Sequence, residues 1–190
     1  MPRTRTLQDE QLLEMVLALI HAEGPDAASF GAVAKVSGLS GSTLVQRFGT
    51  KAAMLRAALM HAWDGLDAQT AKLAASSEKT PGGAVALLTG LSQDYGEDAA
   101  AYAQGLLVLR EDFRDPLLRA RGAAWAKALT EALAECLSAA PDPATSARLM
   151  LSQWQGSLLW WGFPAEGRAA DYVERELRLF LGVLDLKAPV

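Results

Sequence analysis

Apolar residues recur at three- and four-residue intervals along almost the whole chain. That spacing stacks them on one side of an α-helix. Strand signals are missing: no alternating Val/Ile/Thr run and no Asn-Gly hairpin appear. The pattern predicts an all-α fold of about nine helices, bounded by capping and breaking residues. The first covers about residues 7–23, with Leu13, Val16, Leu17 and Ile20 as its apolar stripe. Thr6 and Asp9 are its expected capping box, and Gly24-Pro25 its stop. Ser29 caps a short second helix that turns Phe30, Val33 and Val36 inward and ends at Gly38. Ser40 caps a third with Leu44 and Phe48 inward, and Thr50 a longer fourth that continues through Leu66. Residues 74–79 read as a linker, and Thr80-Pro81 opens a fifth helix that ends at Gly96. The remaining four are expected near 97–111, 115–138, 143–163 and 168–186.

Residues 29–51 carry chemistry as well as structure. Ala34 is small, Gly38 follows four residues later, and Leu44 six residues after that. A helix-turn-helix needs these types at these spacings: close approach, tight turn, apolar filler. An ordinary αα-hairpin would use the same spacing. In the first reading the third helix enters the major groove and presents Gly41, Ser42, Thr43, Val45, Gln46 and Arg47. Gln46 suits adenine and Arg47 suits guanine, while Ser29, Ser40, Thr43 and Lys51 suit phosphates.

Charge separates the two readings. The chain of 190 residues has a net charge of −4, which by itself counts against a nucleic-acid partner. Its distribution reverses that. Residues 1–56 sum to +1 and residues 57–190 to −5. No acid occurs between Asp26 and Asp64, a window holding Lys35, Arg47, Lys51 and Arg56. A phosphate backbone would repel carboxylates there, which gives their absence a cause. Arg3 and Arg5 precede the first helix, as a basic arm or as a solvated terminus.

Residues 12–56 resemble the DNA-binding region of the TetR family of bacterial transcriptional regulators. The resemblance rests on the first apolar stripe, Gly24, Val33-Ala34, Gly38-Leu39-Ser40, Thr43-Leu44, Phe48, Lys51 and Leu55. More loosely, Asp115-Pro116-Leu117 and the Gly156-centred helix are similar to the family's C-terminal pattern. The family commonly has a phosphate-contacting tyrosine where this chain has Val45, and a Pro-Ser-like turn where it has Gly49-Thr50. Valine donates no hydrogen bond, but it can touch a thymine methyl. The resemblance implies a helix-turn-helix domain over 1–50 and an effector-binding and dimerisation domain over 51–190. It implies a homodimeric, ligand-responsive repressor on a palindromic double-stranded DNA operator, released by a small apolar or aromatic effector.

The C-terminal region holds all five tryptophans. Trp63, Tyr95, Tyr102, Trp125, Gln153 and Trp154 are the candidates for lining an effector pocket. Aromatics at helical spacing also simply fill a core. Gly156, Trp160 and Phe163 recur along the eighth helix, and Val173, Leu177, Phe180 and Leu184 along the ninth. These are the expected dimer face, with intrachain packing as the other use of the same spacing.

The remaining expectations are plain ones. Cys136 shares a face with Leu129 and Leu133 and belongs in the core. His21 and His61 lack neighbours at ligand spacing, so neither metal nor cofactor is expected. Arg110-Glu111-Asp112 reads as a solvated helix end. The apolar stretch over 154–163 is about half a membrane span, so a cytoplasmic protein with no membrane partner is expected. No nucleophile elbow, phosphate loop or Cys/His pair marks an enzyme. The alternative function is an all-helical small-molecule-binding module or enzyme that does not read DNA.

Overall fold

The structure, a computed structural model, describes residues 7–96, 99–164 and 166–184. The expected Arg3/Arg5 arm and the Thr6 cap lie outside the described residues. Among the described residues there are nine α-helices and no strand. They are α1 (Asp9–Glu23), α2 (Phe30–Ser37), α3 (Gly41–Phe48), α4 (Lys51–Ser76), α5 (Pro81–Leu91), α6 (Ala99–Arg114), α7 (Pro116–Cys136), α8 (Pro143–Trp161) and α9 (Ala169–Val183). Short 3₁₀ turns at Pro25–Ala27 and Gln93–Tyr95 complete the order. None of these helices is long and apolar enough to cross a membrane.

Most expected caps form. The hydroxyls of Ser29, Thr50 and Thr80 each accept a backbone N–H at 3.1 Å, from Ala32, Ala53 and Gly83. α1 begins later than expected, and Gln11 accepts the N–H of Gln8 at 3.3 Å. α4 runs through part of the expected linker. Ala74 and Ala75 favour a helix, which ends where the Ser76 and Ser77 hydroxyls bond back to the Leu73 carbonyl. Val36, expected inward, is 49% exposed; only Val33 of α2 is fully buried.

The described residues pack into two compact units. The first draws on Met1–Gly65 and Ala103–Gly122. The start of α4, most of α6 and the start of α7 thus pack with α1–α3. Its core is Leu12, Val16, Ile20, Val33, Leu44, Met54, Leu59 and Leu118. Arg56 donates to Asp115 at 2.5 Å, and Asp115 also accepts the Leu117 N–H at 2.9 Å.

The second unit draws on Leu66–Tyr102 and Ala123–Val190. α9 packs against α5 and α8. Buried residues include Leu87, Leu88, Leu129, Leu133, Trp161, Val173 and Leu177. Cys136 is buried as expected, and burial pushes its thiol pKa up. The start of α5 presses on the preceding turn: a Cβ on Gly83 would lie 1.9 Å from the Glu78 carbonyl oxygen.

Two predictions concern these units. Gly83→Ala forces the turn apart and should cost about 1–3 kcal/mol, read from urea melting. Arg56 holds the Asp115 carboxyl below its ordinary range, with the Leu117 N–H acting in the same direction. A depressed folded pKa stabilises above the unfolded value, and the gain disappears as pH falls through the folded one. Asp115→Asn should therefore melt lower near neutrality, by no more than about 1 kcal/mol for a part-exposed pair. The two melting curves should converge in acid.

Candidate nucleic-acid interface

The first unit brings two short helices together around one glycine. Gly38 sits at φ +73° after α2, in the left-handed region, and its N–H caps the Ala34 carbonyl at 3.0 Å. Leu39 and Ser40 then lead into α3 without a longer loop. Leu44 is fully buried and Phe48 packs against the same core. These two contacts fix which way α3 faces.

Ser42, Val45 and Gln46 are exposed on the side away from the core. They stand at positions i, i+3 and i+4, so they form one continuous surface. The Ser40 hydroxyl accepts the Thr43 N–H at 3.1 Å and lies 2.8 Å from the hydroxyls of both Ser42 and Thr43. This ties the leading edge of α3 into a small hydroxyl network. Ser29 is likewise exposed at the start of α2. Two helix N-termini, each with free N–H groups and no acid in the first turn, therefore belong to this unit.

The two basic residues are both engaged within the chain. Thr43 and Arg47 lie i, i+4 along a flank of α3, not at the centre of its outward face. Arg47 donates to the Leu7 carbonyl and to the Asp9 carboxylate, both at 3.0 Å. It does not project as a bare base-reading guanidinium. Lys51 donates to the Asp26 carbonyl at 2.8 Å. Lysine keeps two further N–H donors. The two cations thus brace opposite ends of α1, Arg47 at its start and Lys51 just past its end.

Of the residues expected to meet an effector, Trp63 lies in the first unit and the other five in the second. In the second unit Trp125 and Trp154 have ring centroids 6.2 Å apart, and Tyr95 meets Tyr102 edge-on at 5.5 Å. The Trp125 indole donates to Thr70 at 3.0 Å and the Trp154 indole to Ser92 at 2.8 Å. Gln153 donates to Ser157 at 3.3 Å within its own helix. Burial raises the pKa of both Tyr95 and Tyr102.

In the first unit, the Trp63 indole donates to Asp112 at 3.0 Å. Asp112 is not a solvated helix end: the residue is 8% exposed. Burial raises its carboxyl pKa against the opposing Trp63 hydrogen bond, and Glu111 adds to the rise. Its position four residues after Val108, which packs on the core, is the signal the sequence offers. The same unit also holds a cleft of about 330 Å³ lined by Leu55, Leu59 and Leu118 together with Arg56, Arg114 and Asp115.

The expected dimer residues divide into two groups. Val173 and Leu177 are fully buried in the chain's own core, so they have no surface to offer a partner. α9 spends that stripe on α5 and α8, and its exposed apolar residues are Leu179 and Val183. Phe180 and Leu184 are half-buried. On α8, Trp160 and the following Phe163 are 64% and 74% exposed, with ring centroids 5.5 Å apart. Gly156 precedes them on the same side, and a Cβ there would meet nothing within 4 Å.

Residues 12–58 match the family model described as bacterial regulatory proteins, tetR family. The fold is similar to that of a transcriptional regulator from Rhodococcus sp. Rha1, with 22% identity over 96% of this chain and 99% of that one, at a TM-score of 0.76. It is similar to the TetR family transcriptional regulator PfmR from Thermus thermophilus, with 22% identity, coverage of 90% and 97%, and a TM-score of 0.65. A transcriptional regulator from Saccharomonospora viridis, solved in complex with choline, shares 18% identity over 90% of this chain and 93% of that one, at a TM-score of 0.69. No curated protein gives a significant match.

Stability should rank the supports of α3. Leu44→Ala should cost about 2–5 kcal/mol, because it leaves a cavity in the core of the first unit. Ser40→Ala should cost only about 1 kcal/mol, the loss of one cap. Urea denaturation of both variants tests the ranking, and equal costs would contradict it.

Proposed function

We propose that the chain is a ligand-responsive repressor of the TetR family, a reading supported by the match of residues 12–58 to that family's model and by the fold shared with its regulators. It binds a palindromic operator as a homodimer and leaves when a small apolar or aromatic effector binds. The observation that carries the DNA-reading part is the exposed Ser42–Val45–Gln46 surface on a helix fixed by Leu44. Ser42 and Gln46 hydrogen-bond base edges and Val45 meets a thymine methyl. Ser29, Ser40 and Thr43 address phosphates with the two helix N-termini behind them. Lys51 reaches a phosphate with its spare donors, and Arg47 does so from its flank.

Two half-sites require two reading helices, which is the reason for a second copy. Gly156 and Trp160 of α8 and the following Phe163, with Phe180 and Leu184, are the proposed face. The exposed Leu179 and Val183 extend it, while Val173 and Leu177 support it from beneath. Exposed aromatics of this kind are the usual anchors of an interface. Trp63, Tyr95, Tyr102, Trp125, Gln153 and Trp154 are the proposed effector contacts. A choline complex of a protein with this fold supports small-molecule occupancy. α4, α6 and α7 each contribute residues to both units, so a shift of one of them is the proposed route from effector to reading helix. The effector must bind the two conformations unequally for this to work.

Selection from a random duplex pool tests the reading. The selected sites should show two related half-sites. Gln46→Ala should relax preference at one or two base pairs, worth about 1–3 kcal/mol of discrimination. Lys51→Ala should weaken all sequences alike and lower the salt slope by about 0.9. A pool that yields no bound duplex at low salt contradicts the proposal.

A further inference from the structure

The stretch between Asp26 and Asp64 lacks acids only along the sequence. Folding returns carboxylates to it: Asp115 to Arg56, Glu14 to His61 and, at the reading helix, Asp9 to Arg47. Asp9, in the first turn of α1, meets Arg47 Nη1 at 3.0 Å. The Asp9 side chain is 78% exposed and that of Arg47 is 25% exposed. Arg47 is the sole cation of α3, and it also donates to the Leu7 carbonyl at 3.0 Å. The guanidinium is therefore held on one side by a backbone carbonyl and on the same nitrogen by an anion. A planar guanidinium has five N–H donors and fits a phosphate as well as it fits a carboxylate.

We propose that Asp9 is an affinity-setting residue: its carboxylate occupies Arg47 in the free protein and yields to a DNA phosphate on binding. This rests on the DNA-reading function proposed above. The flank position of Arg47 points it at the groove wall, where phosphates lie, and not at the base edges presented to Gln46. Asp9 then acts twice. It neutralises the cation before DNA arrives, and it stays beside the backbone as a like charge afterwards. An exposed ion pair of this kind shifts an equilibrium by at most roughly fivefold, so a polyanion can displace it. The Leu7 carbonyl keeps the guanidinium in place during the exchange, because it carries no charge to compete for.

Asp9→Asn, Arg47→Ala and the double variant, each bound to one selected duplex across a salt series, test this. Asp9→Asn should bind up to roughly fivefold tighter at low salt. Its log–log salt slope should steepen by about 0.9. In the Arg47→Ala background the same substitution should give little gain, because the cation it frees is absent. Arg47→Ala alone should weaken binding without changing which bases are preferred. Thermal melting of each variant separates a folding defect from a binding one. The proposal is overturned by no gain in Asp9→Asn, by a full gain that persists without Arg47, or by altered base preference in Arg47→Ala. A wild-type protein that binds no duplex overturns the DNA reading itself, and this proposal with it.

Discussion

An eight-residue helix does not hold together by itself in water, because nucleation costs more than so few hydrogen bonds return. α3 is such a helix. Its existence and its orientation depend on burying Leu44 completely in a core that also holds residues of α1, α2 and α4. With Leu44 and Phe48 facing the core, the helical period leaves Ser42, Val45 and Gln46 facing out. Everything proposed about reading follows from that single rotational setting. A turn of the helix by one residue would bury Ser40's hydroxyl network and expose the filler. The Ser40 cap and the left-handed Gly38 set where the helix starts, and Leu44 sets how it is rotated.

Charge around this element is arranged in two layers. Net charge, −4 for the whole chain, hides a slightly basic N-terminal region and an acidic remainder. Within the first unit, the cations Arg47 and Lys51 are both used internally. Arg47 and Lys51 tether the start and the aftermath of α1. α1 therefore serves as the brace against which α3 is positioned. A DNA phosphate arriving at either cation would meet a group already placed, which lowers the ordering cost of the contact.

Local features were legible in the sequence and long-range ones were not. The caps at Ser29, Ser40, Thr50 and Thr80, the turn at Gly38 and the inward Leu44 all depend on residues a few positions apart. Period alone could not say which neighbour an apolar stripe meets. Val173 and Leu177 do recur at helical spacing, but α5 and α8 of the same chain cover them. Val36 reads as apolar and inward, yet about half of it stays exposed at 49%. Asp112 and Arg47 show the same limit for polar groups. Trp63 is forty-nine positions from the first, and Leu7 forty from the second. Charge type predicts solvation at such positions, and tertiary pairing overrides it.

We propose that the first unit meets DNA through the start of α2, the outward face of α3 and Lys51. Backbone hydrogen exchange, with and without a selected duplex, tests it most directly. Adding DNA should slow exchange over residues 29–51, most strongly from Gly41 to Gln46. Unchanged exchange across that stretch, with protection confined to α8 and α9, would contradict it.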